Sequence, residues 1–183
     1  MTLAAVAKTM KKSKKIVFCA MLAALSVFFV ALGKFIPVGT YVFPAVAGIL
    51  GTIIVIEIGV KWALAAYFVA TTLAFIFGLN EAVLLYAMFF GYYPIIKSVI
   101  ERLKSRIFEY AVKFLIFNVA MVGAYAVLIP VFGLEALGFE TMTFVWITLA
   151  IGNVVFILYD IGLTRLITLY FSRYHKHISK LIK

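Results

Sequence analysis

The residues of this sequence that could do chemistry are a few polar side chains inside long apolar stretches. Asn118 and Tyr125 are seven residues apart in one stretch, and Asn153 and Asp160 are seven apart in the next. Seven residues make about two helical turns, so each pair shares one face of its helix. Polar groups in apolar sequence are costly to bury, which makes these four the first candidates for binding or proton transfer.

Charged residues near the helix ends predict ion pairs. Counting at about 1.5 Å per residue places Lys113 and Asp160 at similar depth in neighbouring helices. A structural ion pair is the leading interpretation, and its alternative is a proton relay through Asp160. Glu57 with Lys61, and Glu109 with Lys113, have the i, i+4 spacing that brings side chains together on a helix.

Four polar or aromatic residues are candidates to line a pocket in the middle and far halves of the helices. For each of them taken singly, hydrogen bonding between helices or aromatic anchoring at a membrane surface is the leading explanation. The residues are Asn118, Tyr125, Trp146 and Asn153.

No sequence signature of an enzyme accompanies these residues. The sequence contains no HExxH or GxSxG motif and no glycine-rich phosphate loop. Cys19 is the single cysteine, and His175 and His177 lie in the basic tail, where they are expected to be solvated. We therefore predict that the chain is not an enzyme, binds no cofactor or metal, and cannot itself couple ATP to transport.

Six apolar runs must position the polar residues. A composition of 66% hydrophobic and 13% charged residues cannot supply the water-facing surface of a soluble domain. Runs of roughly 18 to 25 apolar residues cross a bilayer as helices. We predict an all-α integral membrane protein, a bundle of six transmembrane helices, whose weakest span has a re-entrant segment as its alternative. The spans are Ile16–Phe35, Val42–Val60, Trp62–Phe77 (the weakest), Ala82–Ile100, Ile107–Val131 and Phe144–Phe171.

Charge placement predicts the orientation. Of the 17 lysines and arginines, all except Lys34 fall in or beside segments that six spans send to one side. The positive-inside rule then makes the protein a multi-pass protein of the plasma membrane with both termini cytoplasmic. The net charge of +10 is explained by clusters that attract anionic membrane lipids, so nucleic acid is not an expected partner. The chain divides into a basic segment (1–15), a transmembrane domain (16–171) and a basic tail (172–183).

The first helix carries a stripe of small residues and ends in a turn. At 100° per residue, Ala20, Ala24, Val27 and Ala31 fall within a narrow arc of one face. Helices in bilayers associate through close approach at small residues, so this face predicts either a docking surface for a partner or packing against the chain's own helices. An Ile-Pro-Val-Gly turn follows, and Gly91 with Pro94 predicts a bend in the fourth helix.

These features together resemble the substrate-specific S components of energy-coupling factor (ECF) transporters. The shared features are the Lys-rich start, a first helix reading CAMLAALSV with its Ala20-xxx-Ala24 pair, the Ile-Pro-Val-Gly loop, six spans in 183 residues and a basic tail. The resemblance covers the whole chain in layout, and its one sharp local motif lies in the first helix.

The resemblance implies a membrane-embedded subunit that captures a vitamin-like micronutrient for an ATP-driven uptake transporter. It implies docking of a transmembrane coupling protein, driven by cytoplasmic ATPases, at Ala20, Ala24 and Ala31. It also implies substrate contact at the first outside loop and the outer halves of helices four to six. The implied contact residues are Lys34, Tyr41, Tyr86, Asn118, Tyr125, Trp146 and Asn153.

Two other classes of function fit the same sequence. One is a small multi-span scaffold or assembly protein of the cell-shape type, which would have a filled bundle and no ligand pocket. The other is an enzyme or secondary transporter in which Asp160 is protonated and deprotonated, which would have an inward-facing cavity at that residue. An outward-facing pocket between helices four and six, capped by the first loop, favours the S component.

Overall fold

The computed structural model describes residues 3–33, 35–36, 39–78, 80–103, 105–133 and 142–175. These residues form six consecutive helices, which confirms the predicted all-helical class and helix number. The helices are α1 (Leu3–Leu32), α2 (Gly39–Glu57), α3 (Val60–Ile76), α4 (Glu81–Ile100), α5 (Arg106–Phe132) and α6 (Met142–Arg173).

Five of the helices are long and apolar enough to cross a membrane, and α3 is the shorter one. The sequence indicates the same difference, since Trp62–Phe77 is the weakest predicted span. The basic N-terminal segment does not form a separate helix, because α1 runs without a break from Leu3 to Leu32. Short connections make consecutive helices antiparallel. We call the end that holds Lys61, Arg102 and Arg173 the basic end.

A first core joins α1, α2 and α3 through small side chains. Four alanines spaced three or four residues apart on α3 are all buried against these neighbours. Alanine has no side chain beyond Cβ, so the helix backbones approach closely along this line. The four residues are Ala63, Ala66, Ala70 and Ala74.

On α1, the alanines of the small-residue stripe lie at the edge of the face that packs on the other helices. Ala20 and Ala24 are exposed and Ala31 is half-buried, whereas Val27 is buried. The buried face includes Ser26, whose hydroxyl donates to the carbonyls of residue 22 at 2.9 Å and of residue 47, on α2, at 3.2 Å. Packing against the chain's own helices therefore accounts for Val27 and leaves the first two alanines without a covering helix.

The α-helical ladder of α4 is interrupted in the middle, around Gly91 and Pro94. Its α-helical start, Glu81–Leu85, is followed by a π-helical turn, Tyr86–Phe90, and the α-helix resumes at Tyr93–Ile100. Proline has no N–H to donate and its ring clashes with the carbonyl four residues earlier, so the regular ladder cannot pass this point. The hydroxyl of Tyr67 on α3 donates to the carbonyl of residue 87 at 2.6 Å, within the irregular turn.

The interrupted part of α4 packs against a glycine of α2. A Cβ added to Gly48 would lie 2.1 Å from the carbonyl oxygen of Phe90, whereas one added to Gly51 would lie no closer than 3.7 Å to a neighbouring atom. The carbonyl of Phe90 is the one four residues before Pro94. Only a residue without a side chain can pack against the helix at this point.

Helix α6 is the most weakly covered of the long helices. Phe156, Asp160 and Leu163 are buried on the side facing α4 and α5, while the other faces carry exposed apolar side chains such as Val154 and Leu158. Its final turn meets α2, because the carboxylate of Glu57 accepts from the hydroxyl of Tyr170 at 2.7 Å and lies 2.9 Å from His175 Nδ1. Glu57 was expected to pair with Lys61, but its carboxylate contacts the last turns of α6 instead. His175 was expected to be solvated, but it lies against Glu57. His177 lies outside the described residues.

We predict that Gly48→Ala lowers the free energy of unfolding by about 1 to 3 kcal/mol, the usual cost of overpacking. The matched control is Gly51→Ala on the same helix, where the added methyl makes ordinary contacts and the gain in helix propensity is the same. Unfolding in mixed micelles with increasing SDS measures the difference. Equal stability of the two variants would contradict the close approach at Phe90.

Candidate binding cavity and buried ion cluster

A cavity of about 410 Å³ lies between α4, α5 and α6, with one residue contributed by the start of α2. This volume is within the range typical of sites for small organic ligands. The cavity is open on one side. Its lining consists of Tyr41, Phe89, Phe90, Phe117, Met121, Tyr125, Thr148, Leu149, Ile151, Gly152, Val155, Phe156 and Tyr159.

Packed aromatic rings form much of the cavity wall. Phe117 and Phe156 stack with ring centroids 4.7 Å apart, and Phe89 meets Phe117 edge to face at 5.2 Å. Phe90 meets Tyr159 edge to face at 5.3 Å. Rings that contact one another in these geometries hold each other's orientation, so the wall is formed before any ligand enters.

Tyrosine hydroxyls and one carboxylate lie at the end of the cavity away from the basic end. Tyr41, just after the turn between α1 and α2, donates its hydroxyl to Glu81 Oε1 at 2.8 Å. Tyr125 of α5 lies near Tyr41 in the same lining. The Tyr41–Glu81 hydrogen bond connects α2 with α4 at this end of the cavity, beside α5.

A cluster of buried charges lies on the other side of this aromatic layer. Asp160 of α6 accepts from Lys97 Nζ and from the hydroxyl of Tyr93, at 2.6 Å, through Oδ1. Its Oδ2 accepts from Lys113 Nζ at 3.1 Å. The side chains of both lysines are almost completely buried, and that of Asp160 is 8% exposed. The predicted Lys113–Asp160 ion pair is confirmed.

Two further carboxylates complete the cluster at its outer edge. Glu101 Oε1 lies 2.7 Å from Lys97 Nζ and 3.2 Å from Lys113 Nζ. Glu109 Oε1 lies 2.7 Å from Lys113 Nζ, as the i, i+4 spacing predicts. The arrangement joins α4, α5 and α6 and satisfies each buried ammonium with more than one oxygen, which is what a buried charge requires.

Sequence reasoning assigned Lys97 to the connection after the fourth span and missed its part in the cluster. The residue is instead fully buried one turn after Tyr93. A signal was present, because Tyr93, Lys97 and Glu101 are spaced four apart and share one face of α4. Recognising their common partner required knowing which helix packs against that face.

Tyr93 connects the cluster with the cavity. Its ring stacks on Phe89 at 4.8 Å and meets Phe156 at 5.3 Å, and both of these rings line the cavity. Its hydroxyl is bound to Asp160. One aromatic layer therefore separates the apolar cavity from the charged groups.

Asn118 and Asn153 form a reciprocal pair between α5 and α6. Each side-chain amide donates to the side-chain oxygen of the other, at 2.9 and 3.0 Å, and each also donates to the carbonyl four residues earlier on its own helix. All four amide N–H groups are thus used within the protein. Neither residue is part of the cavity lining.

The other predicted contact residues have different locations. Tyr41 and Tyr125 line the cavity. Tyr86 is buried in the core with α1, α2 and α3, its ring 6.0 Å from that of Tyr67. Trp146 is 65% exposed and is not a lining residue. Lys34 lies outside the described residues.

A second, polar cavity of about 620 Å³ opens at the basic end. Asp160, Lys113, Glu101 and Glu109 reach its wall beside Arg106 and other residues of α5 and α6. The charged cluster therefore faces a polar cavity at the basic end. On its other side, the aromatic layer separates it from the first cavity.

The comparisons with known proteins return nothing for this chain. No protein family matches it, and neither the curated proteins nor the solved structures include a match. The candidate site therefore rests on geometry alone.

We predict that Asp160→Asn lowers the free energy of unfolding by about 3 to 5 kcal/mol, because it removes the most deeply buried of the carboxylates that face the two buried ammonium groups. The control is Glu101→Gln, at a side chain 34% exposed, for which we expect a loss of about 1 kcal/mol or less. SDS unfolding of both variants measures the difference. Equal losses would contradict the central position of Asp160.

For the asparagine pair we predict a coupling of about 0.6 to 1.7 kcal/mol, the range measured for hydrogen bonds between membrane helices. The double variant Asn118→Leu/Asn153→Leu should lose less stability than the sum of the two single variants, because each single change leaves an amide unpaired. Strictly additive losses would show that the two amides do not stabilise each other.

Proposed function

We propose that the chain lies in the plasma membrane as a six-helix multi-pass protein with both termini in the cytoplasm. Large apolar side chains on the outer faces of the bundle support this, since lipid tails can cover them and water cannot do so favourably. The basic end would face the cytoplasm by the positive-inside rule. The apolar cavity would then have its tyrosine-lined mouth near the opposite surface.

We propose further that the protein is the substrate-capture subunit of an ATP-driven uptake transporter for a vitamin-like micronutrient. The observation that carries the proposal is the cavity of about 410 Å³ between α4, α5 and α6, with Tyr41, just after the first turn, in its lining. A scaffold protein is expected to have a filled bundle without a cavity of this size. The lack of a nucleotide-binding loop fits a subunit that is energised by separate ATPases.

The proposed docking surface for a transmembrane coupling protein is the exposed flank of α1. Ala20 and Ala24 present small, uncovered side chains there, and Ala31 continues the stripe at half burial. A partner helix could approach this flank closely without displacing any helix of the bundle. Neighbouring Met21 and Phe28 are exposed and would add contact area.

The second candidate is a secondary transporter in which Asp160 exchanges protons, and the polar cavity beside that residue favours it. The hydrogen bonds that the Asp160 carboxylate already accepts argue against this function. Both oxygens accept from ammonium groups, and one also accepts from Tyr93, so protonation would take the most deeply buried carboxylate charge away from both lysines and leave them only the more exposed Glu101 and Glu109. The substrate-capture function requires no such change.

The docking proposal predicts that Ala20→Trp/Ala24→Trp abolishes co-purification with a coexpressed coupling protein and its ATPases. Ligand binding by the isolated chain should stay within about twofold, because both positions are remote from the cavity lining. Leu25→Trp is the control, since it places the same tryptophan side chain at an exposed position of α1 outside the stripe. Complex formation that survives the double substitution would refute the docking surface.

The capture function predicts that the protein purified from its membrane retains a small-molecule ligand. Native mass spectrometry of the full chain, followed by a panel of vitamins and related heterocycles, tests this. Absence of both a retained compound and any binding across the panel would contradict a capture function. Stable assembly with other membrane proteins in that case would favour the scaffold.

A further inference from the structure

The cavity between α4, α5 and α6 selects its ligand by charge and shape. Resting on the capture function proposed above, we infer that the ligand is an uncharged, planar ring compound that carries a hydrogen-bonding group. The inference comes from three properties of the lining: its aromatic surface, its lack of charge and one buried hydroxyl.

The aromatic surface favours a flat ligand. Seven of the thirteen lining residues are phenylalanine or tyrosine. Phe117 and Phe156 are stacked at an interplanar angle of 15°, and Phe89 stands nearly perpendicular to Phe117, at 80°. A planar ring can extend this offset and edge-to-face packing, whereas a puckered ring of equal volume contacts fewer atoms.

The lining contains no side chain with a formal charge among the described residues. A carboxylate or phosphate inside the cavity would therefore lose its hydration without gaining a counter-charge, and a cation would have only the ring faces to offset its lost hydration. The charges that lie nearby are already used: Glu81 accepts from Tyr41 at the tyrosine-lined end, and Asp160 is bound by Lys97 and Lys113 beyond the aromatic layer. An uncharged ligand avoids this desolvation cost.

One lining residue has a hydroxyl without a partner. The Tyr159 hydroxyl oxygen is buried and makes no hydrogen bond among the described residues, and the residue is part of the cavity lining. A buried hydroxyl without a partner is unfavourable, and a ligand carbonyl or ring nitrogen that displaces the atoms covering it would satisfy it. This predicts a ligand with at least one polar group on its ring system.

The test uses matched ligands on the purified full chain in lipid nanodiscs, with binding measured by equilibrium dialysis. The charge series is quinoline-3-carboxamide, the quinoline-3-carboxylate anion and the 1-methylquinolinium-3-carboxamide cation. The shape pair is naphthalene-2-carboxamide and decalin-2-carboxamide. We expect each uncharged planar compound to bind at least tenfold more tightly than its charged or puckered counterpart.

Two substitutions connect the binding to this cavity. Gly152→Leu adds a side chain to a lining position and should weaken binding at least tenfold. Gly162→Leu on the same helix is the control, because a Cβ there meets no atom within 4 Å and the position is not part of the lining. Tyr159→Phe should weaken binding of the carboxamides about three- to tenfold and leave stability unchanged, since the lost hydroxyl has no protein partner.

Several results would overturn the inference. These are equal or tighter binding of either charged quinoline, equal binding of the decalin, absence of binding by both uncharged planar compounds, or a loss with Gly162→Leu equal to that with Gly152→Leu. Lipid acyl chains extracted from the wild type and lost in Gly152→Leu, without carboxamide binding, would identify a lipid site instead.

The result also separates this inference from the function on which it rests. The expected order of affinities in a chain that never co-purifies with a coupling protein would refute uptake coupling and keep the ligand class. Tight binding of a charged compound by a chain that does assemble with the ATPases would refute the ligand class and keep the function.

Discussion

The ion cluster around Asp160 is the interaction on which the position of α6 depends. Helix α6 offers little buried apolar surface, and where it faces the rest of the bundle it is held by polar contacts: Asp160 to Lys97 and Lys113, and Asn153 to Asn118 two turns away. Buried charges are tolerated only when they are paired, so these contacts define the position of the helix along α5. Between them, the stacked rings of Phe117 and Phe156 fix the distance between α5 and α6.

The irregular middle of α4 places Tyr93 between the aromatic cavity and the ion cluster. Pro94 interrupts the hydrogen-bond ladder, the preceding turn widens to a π-helix, and Tyr93 is placed where its ring meets Phe89 and its hydroxyl meets Asp160. The carbonyl of Phe90 packs against Gly48, so α2 contacts the irregular part of α4 directly. The aromatic layer between the apolar cavity and the charged cluster follows from this local break.

This arrangement connects the proposed binding cavity with the proposed cytoplasmic end through one side chain. A ligand that moved Phe89 or Phe156 would act directly on Tyr93, and hence on a carboxylate shared by two lysines. The exposed alanine flank of α1 lies in the other half of the bundle, with α2 and α3 packed on its opposite face. Capture and docking can therefore use different helices of one small protein.

Patterns within the sequence predict the helical class, the six helices, the interruption of α4 around Gly91 and Pro94 and the ion pair between Lys113 and Asp160. Each of these follows from a local property: run length, missing N–H groups, or charges at matching depth. The packing of the helices was needed to show that Asn118 and Asn153 satisfy each other, that Lys97 is buried beside Asp160, and that a cavity of aromatic rings lies between α4 and α6. Those outcomes depend on which helix faces meet and how far apart they stand, because a polar or aromatic side chain has the same spacing in the sequence whether its partner is another helix, a ligand or lipid.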